Sequence, residues 1–267
     1  MKISLPIILM FAFLGASTSI FAQDTRPAHS VTPWSHDSSD LEVDGRVHYG
    51  SFENGMRFAW ADLPKPEDRV YLRLHVDAGS FGETDSQAGM AHFLEHMAFN
   101  GSDNFPAGTL IEWFQDHGMS FGADTNAHTA FSETVYKLDL PNRDEKTLRE
   151  GMLVMSDFAK GMTISDNEVQ SEKGVIDGEQ RERDSAGYRV LVQGLERQYK
   201  GTLLAKRLPI GTKPVRDAFT GESVREFYTK WYRPENMTMV IVGDLRGYNP
   251  EDLIAEFFEG FAGPGTA

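Results

Sequence analysis

Residues 89–102 read GMAHFLEHMAFNGS, a helix-length run in which Met90, Phe93, Leu94, Met97 and Phe99 leave little polar surface. A helix so apolar has to be buried, and any fold the chain adopts must wrap it on most sides. Against that demand stand His92, Glu95 and His96. At about 100° per residue, positions 92 and 96 lie roughly 40° apart around the axis with Glu95 close by, so all three side chains leave one face. Ionisable groups on a buried face need partners. A hydrogen-bonded core is one solution, and a divalent cation is another. Zinc takes imidazole nitrogens, and two histidines one turn apart can bind it together. Glu95 is then free to accept a proton from water at the metal. The order H-x-x-E-H reverses H-E-x-x-H, and its place on a single apolar helix gives the string chemical meaning.

A further ligand is expected, and residues 168–183, EVQSEKGVIDGEQRER, offer candidates. Glu168, Glu172 and Glu179 are spaced four and then seven apart, which returns each to nearly the same helical face. Such a stripe taken alone is more often a solvated face, and spacing does not choose between Glu172 and Glu179. Gly174 and Gly178 weaken this helix, each by about 1 kcal/mol relative to alanine, so it must bend or draw on tertiary contacts.

Around these segments the pattern is mixed. Strand-like stretches rich in β-branched and aromatic residues fall at 46–49, 56–61, 70–77, 135–140 and 237–242. Helical patterns lie between them. Thr109 with Glu112, and Ser165 with Glu168, have capping-box spacing, and Gly118 closes the first of these helices. Leu148, Met152, Met155, Phe158 and Met162 recur at three- and four-residue intervals, a stripe read as core packing. SVREFYTKWY reads as a helix ended by Arg233-Pro234, and the tail FAGPGTA as a linker. Strands first, several helices, then a late strand predict an α+β fold, a largely antiparallel mixed sheet layered with helices.

The N-terminus has Lys2, an apolar run and then small residues, the pattern of a secretory signal ending at Ala22, with cleavage after Ser19 as the second choice. Residues 23–44 are polar and aperiodic and read as a mobile leader, leaving 45–267 as the folded domain. An exported protein, periplasmic or secreted, follows, with no stable membrane anchor once the signal is removed. Forty acidic against 26 basic residues, and no run of Lys or Arg, argue against nucleic acid as a partner. There is no cysteine, which excludes disulfides, thiolate ligands and lipidation at an N-terminal cysteine.

DAGSFGETDSQAGMAHFLEHMAFNGS, GADTNAHTAFSETVYKLDLP, SEKGVIDGE and FYTKWYRPENMTMVIVGD occur in this order across residues 77–244. Together they resemble the N-terminal, metal-bearing half of the pitrilysin family of zinc metallopeptidases, Peptidase family M16. The resemblance implies that His92, His96 and Glu179 hold zinc, that Glu95 is the catalytic base, and that Glu172 supports the site from behind. It also implies that peptides bind in extended form against an edge strand, which carries Asn126, Ala127 and Thr129 over as candidate substrate contacts; His128 stands where the family often has an aromatic residue. By the same resemblance, the expected activity is hydrolysis of peptides or unfolded protein segments, with a second domain of the same kind supplied in cis or in trans. The competing expectation is a zinc-containing peptide-binding subunit with little activity alone. A lyase using an H-x-x-E-H helix would need a cysteine ligand, which this chain lacks.

Overall fold

The computed structural model describes residues 33–264, so the expected signal at 1–22 and the first part of the leader lie outside the described residues. Strands β1 (His48–Ser51), β2 (Arg57–Asp62) and β3 (Val70–Val76) come first, followed by helices α1 (Met90–Met97) and α2 (Thr109–Asp116). A hairpin, β4 (Thr125–Thr129) and β5 (Thr134–Leu140), leads into α3 (Glu145–Lys160), α4 (Asp166–Arg183), α5 (Ala186–Gln198), α6 (Lys213–Asp217) and α7 (Gly221–Trp231). The late strand β6 (Met237–Gly243) and α8 (Pro250–Phe258) complete the set.

The six strands form one sheet in the order β1-β2-β6-β3-β5-β4. Only β2 and β6 run parallel; every other neighbouring pair is antiparallel. Alternation explains the layering. Val70, Leu72, Leu74 and Val76 of β3 are buried, while Tyr71, Arg73 and His75 between them are half-buried. Leu72 is paired with Leu138 and Ile241, and Leu74 with Tyr136 and Met239, so the apolar rows of three strands fall on one face. Helix α3 lies against that face through Leu148, Met152, Met155 and Phe158, all buried. Gly151 permits this approach: a Cβ there would come within 2.9 Å of Leu140 and 3.1 Å of Leu72. Met162, just beyond the helix, continues the stripe.

Several local readings shift. β1 begins two residues and β2 one residue later than expected. The capping box at Thr109 does not form: Gly108, at φ +88°, takes the cap position, Thr109 becomes the first helical residue, and its hydroxyl donates to the Pro106 carbonyl. Ser165 does cap α4, accepting from the Glu168 amide at 3.2 Å. Helix α4 is continuous through both of its glycines. The leader is ordered at its end, where Trp34 and His36 pack on Tyr49 and Arg57 lies over the Trp34 ring. Nor does the tail leave at once, since Phe261 is buried and its carbonyl accepts from Asn54. Helices α5, α6 and α8 were not read from the sequence, although Asn249-Pro250 is a start signal for the last.

Candidate metal centre

Helix α1 sits where the apolar reading of the sequence requires it, packed among α4, α7 and β4, with Met90, Phe93, Leu94 and Met97 no more than 1% exposed. Its start is built by Gly89 at φ +98°, where a Cβ would meet the backbone of Ile210 and Gly211 at 3.0 Å. The first-turn amides are satisfied by a buried carboxylate: Glu83 accepts from Gly89 N and Ala91 N, both at 2.9 Å. Burial pushes Glu83 up to about 7, against the pull of those amides and of Arg207. Sequence reading missed Glu83. An acid ahead of a helix start was visible as a signal, but the intervening turn at Asp85–Gln87 hid the distance it spans.

His92 and His96 turn their Nε2 atoms toward one another at 3.3 Å. Glu179 Oε2, from α4, lies 3.4 Å from the first and 3.5 Å from the second. A tetrahedral ion with bonds of about 2.0–2.1 Å separates its ligand atoms by roughly 3.3–3.4 Å, so this triangle has the size such an ion requires. The donor set agrees with the geometry. Glu179 Oε2 is buried without a well-formed hydrogen bond, an orphan that a cation would satisfy. Among the described residues, these three are the group of acids and histidines able to hold a metal ion.

Of the two glutamates that spacing left open, Glu179 is the one that reaches both histidines. Glu172 brings no oxygen to the triangle; its Oε1 meets His96 Nδ1 at 2.7 Å, and its Oε2 accepts from Asn100 Nδ2 at 2.6 Å. With Nδ1–H donated to Glu172, Nε2 is the His96 nitrogen that faces the triangle. Glu168 stays at the far end of α4, outside the cluster. Asn100, in the turn just beyond α1, was also missed, because it lies past the end of the helix and no helical spacing places it beside His96. Burial opposes charge on His96, but Glu172 and Glu179 outweigh it and raise the imidazole to about 9. The imidazoles of His92 and His96 hold Glu179 well below the usual carboxylate range, with Arg183 adding to the effect through an ion pair to Oε1. Buried Arg216 fixes this end of α4 by donating to Asp177, Gln180 and the Ile210 carbonyl at 2.6–2.7 Å.

Glu95 leaves α1 on the same side without joining the triangle, and its Oε2 accepts from Thr129 Oγ1 at 2.5 Å. The space in front is a cleft of about 840 Å³. Phe99, Ile111 and Phe121 line it together with Val175, Tyr188 and Ile210, and the edge strand contributes Asn126, Ala127, His128 and Thr129. β4 is an outer strand of the sheet. The bonds Ala130 N to Glu133 O and Asp139 N to Asp124 O flank its pairing with β5. By antiparallel alternation, the amides and carbonyls of Thr125, Ala127 and Thr129 therefore point outward from the sheet; those of Thr125 are taken by Ser120 and Gly122, which leaves Ala127 and Thr129 as the edge. The Ala127 amide donates to the Asn126 side chain at 2.9 Å. His128 is exposed, with Glu133 3.9 Å away. The arrangement presents a metal-sized ligand triangle, a separate carboxylate beside it, and an open strand edge along one cleft.

Comparisons with known proteins agree with this layout. Residues 61–207 match the family described as Insulinase (Peptidase family M16), and residues 218–266 match the Peptidase M16 inactive domain. A curated relative, "Probable zinc protease PqqL" of Haemophilus influenzae, is 36% identical over 208 residues, covering 78% of this chain and 22% of the relative. The periplasmic protease PqqL from Escherichia coli, known from a crystal structure, superposes with a TM-score of 0.78 at 34% identity, over 83% of this chain and 24% of the other. A crystal structure of the first half of that protease gives the same score and identity, with 47% of its chain covered. This chain thus spans about a fifth of the length of the curated relatives it matches. With its sheet and an H-x-x-E-H helix that faces a glutamate of α4, the chain belongs to Peptidase family M16, the pitrilysin or insulinase family.

Proposed function

We propose that this chain is the metal-bearing module of a zinc endopeptidase that hydrolyses peptides or unfolded protein segments. The observation carrying the reading is the triangle of His92 Nε2, His96 Nε2 and Glu179 Oε2, with sides of 3.3–3.5 Å and Glu95 held beside it. His92, His96 and Glu179 would hold the ion through two nitrogens and one oxygen, leaving a position open on the cleft side. When bound, zinc supplies a Lewis acid that activates water and polarises a carbonyl. Glu95 accepts the proton of the attacking water and returns it to the departing amine. Glu172 keeps His96 oriented. Ala127 and Thr129 bind substrate backbone by adding a strand to β4, and Asn126, whose own backbone pairs with β5, takes part through its side chain, a mode that demands little of the peptide's sequence.

The wider reading takes in the rest of the chain. Residues 1–22 act as an export signal, residues 23–44 form a leader, and 45–267 make up the N-terminal metallopeptidase domain; the periplasmic relative supports an exported location. A second domain of the same family, in cis or in trans, closes the cleft over the peptide, in keeping with the greater length of the relatives.

The test is zinc titration of the chain, followed by exposure to a mixed pool of unstructured peptides with mass spectrometry of the products. Glu95→Gln should keep zinc and lose roughly 10²–10⁴-fold in turnover, the usual contribution of a general base. His92→Ala should lose both metal and activity. Undiminished cleavage by Glu95→Gln would remove Glu95 from its role. Zinc bound without cleavage would assign the chain the metal-holding part and turn attention to the second domain.

A further inference from the structure

Thr129 belongs to the strand that faces the cleft, yet its side chain is engaged elsewhere. Its Oγ1 lies 2.5 Å from Glu95 Oε2 and 3.3 Å from Thr134 Oγ1. Thr134 is 1% exposed and donates to the Ala78 carbonyl at 2.8 Å, so its single proton is committed. An ionised carboxylate offers only acceptors. The Thr129 proton therefore goes to Glu95, and the short distance is that of a charge-assisted bond. Behind this pair the core is braced by further hydroxyls. Tyr232, which also adjoins Thr134, meets Tyr136 oxygen to oxygen at 2.6 Å, and both rings are almost wholly buried. Burial, and the nearby Glu95 charge, push both phenols up, so they stay protonated donors. Thr134 and Tyr136 also stand directly across from Thr129 and Ala127 in the β4–β5 ladder. The anchor thus rests on the sheet rather than on a loop.

We infer that Thr129 is a positioning residue: its hydroxyl holds one oxygen of Glu95 toward β4, leaving the other for the proton transfer in the cleft. Thr134, its proton committed to Ala78, stands 3.3 Å behind the threonine without donating to it. Because the backbone of Thr129 lies on the outward edge of β4, the same residue that would bind a docking peptide also sets the base. Peptide docking and base geometry are thereby linked through one side chain. The inference rests on the reading of Glu95 as general base.

Thr129→Val removes the hydroxyl and keeps the β-branched shape, whereas Thr129→Ser keeps the hydroxyl. Both variants, with Glu95→Gln alongside, would be assayed for zinc affinity, KM and kcat, and crystallised as the full zinc-loaded chain. Thr129→Val should lower kcat about 10²-fold, the effect of a displaced catalytic group, with KM and zinc affinity unchanged and the Glu95 carboxylate moved in the crystal. Thr129→Ser should restore both the rate and the carboxylate position. A Glu95 that stays in place in Thr129→Val, a loss confined to KM, or an equal loss in Thr129→Ser would overturn the inference. Full turnover by Glu95→Gln would instead sink the general-base reading, and the crystal positions would still decide whether Thr129 holds Glu95. If the chain alone shows no turnover, the carboxylate position in the same crystals decides for or against the anchor.

Discussion

Glu172 contributes no atom to the ligand triangle, yet it determines which nitrogen His96 presents there. Loss of such a partner typically weakens metal binding about 10–100-fold. Glu172→Ala should show a drop of that order in zinc affinity by competition with a chelator, and an unchanged affinity would mean that packing alone orients His96. Glu83 makes a different prediction, one of stability. Its folded-state value is raised to about 7 by burial, against 4.5 for an ordinary glutamate. The folded chain therefore holds this proton more tightly than the unfolded one. Its contribution to stability is complete below about pH 4.5 and is lost as pH rises through about 7. Between about pH 5 and pH 8, the melting temperature of the wild type should fall relative to that of Glu83→Gln. Parallel melting curves across that range would show that Glu83 titrates as it does in the unfolded chain.

At the level of the element, α4 carries two of the three acidic groups of the site on a helix that its own sequence weakens. A Cβ at Gly174 would meet nothing within 4 Å, and one at Gly178 only the Arg181 guanidinium at 3.6 Å. Alanine at either position should then stabilise the chain by about 0.5–1 kcal/mol, read from a urea midpoint, without altering zinc affinity. Gly151→Ala should do the opposite, because α3 is pressed against Leu140 and Leu72 there. What holds α4 in line is contact with its neighbours: Val169 and Ile176 are buried, and Arg216 grips Asp177 and Gln180. Since the three proposed ligands join α4 to α1, zinc should raise the melting temperature and a chelator should lower it. A melting temperature indifferent to zinc would count against a bound ion at this triangle.

For the whole molecule, the two family matches meet inside one sheet. The first ends at residue 207 and the second begins at 218, but β6, from the second, is hydrogen-bonded between β3 of the first and β2, whose last two residues open that match. Phe219 likewise packs edge-on against Phe93 of α1, 5.3 Å between ring centres. A chain cut after residue 217 would leave β2 paired only with β1, and β3 only with β5. Such a fragment should show no cooperative unfolding transition by circular dichroism; a sharp transition would prove the segment up to 217 an autonomous unit. The strand order also gives β4 its open edge, and so the surface on which a peptide can add.

What the sequence determined by itself was local. Helical periodicity alone puts His92, Glu95 and His96 on one face of a buried helix, and runs of β-branched and aromatic residues mark β3, β5 and β6, because both signals lie within a few residues of chain. The family resemblance named Glu179, but residue spacing did not, for a physical reason. Seven residues bring Glu172 and Glu179 to the same side of α4 about 10 Å apart along its axis. Only the way α4 crosses α1 settles which of them reaches the histidines. The same holds for Thr129, whose side chain is aimed by strand pairing, for Glu83, which caps α1 across a turn, and for β6, which finds its place between strands laid down long before it in the chain. Each depends on contacts between residues far apart in sequence, and no local pattern encodes them.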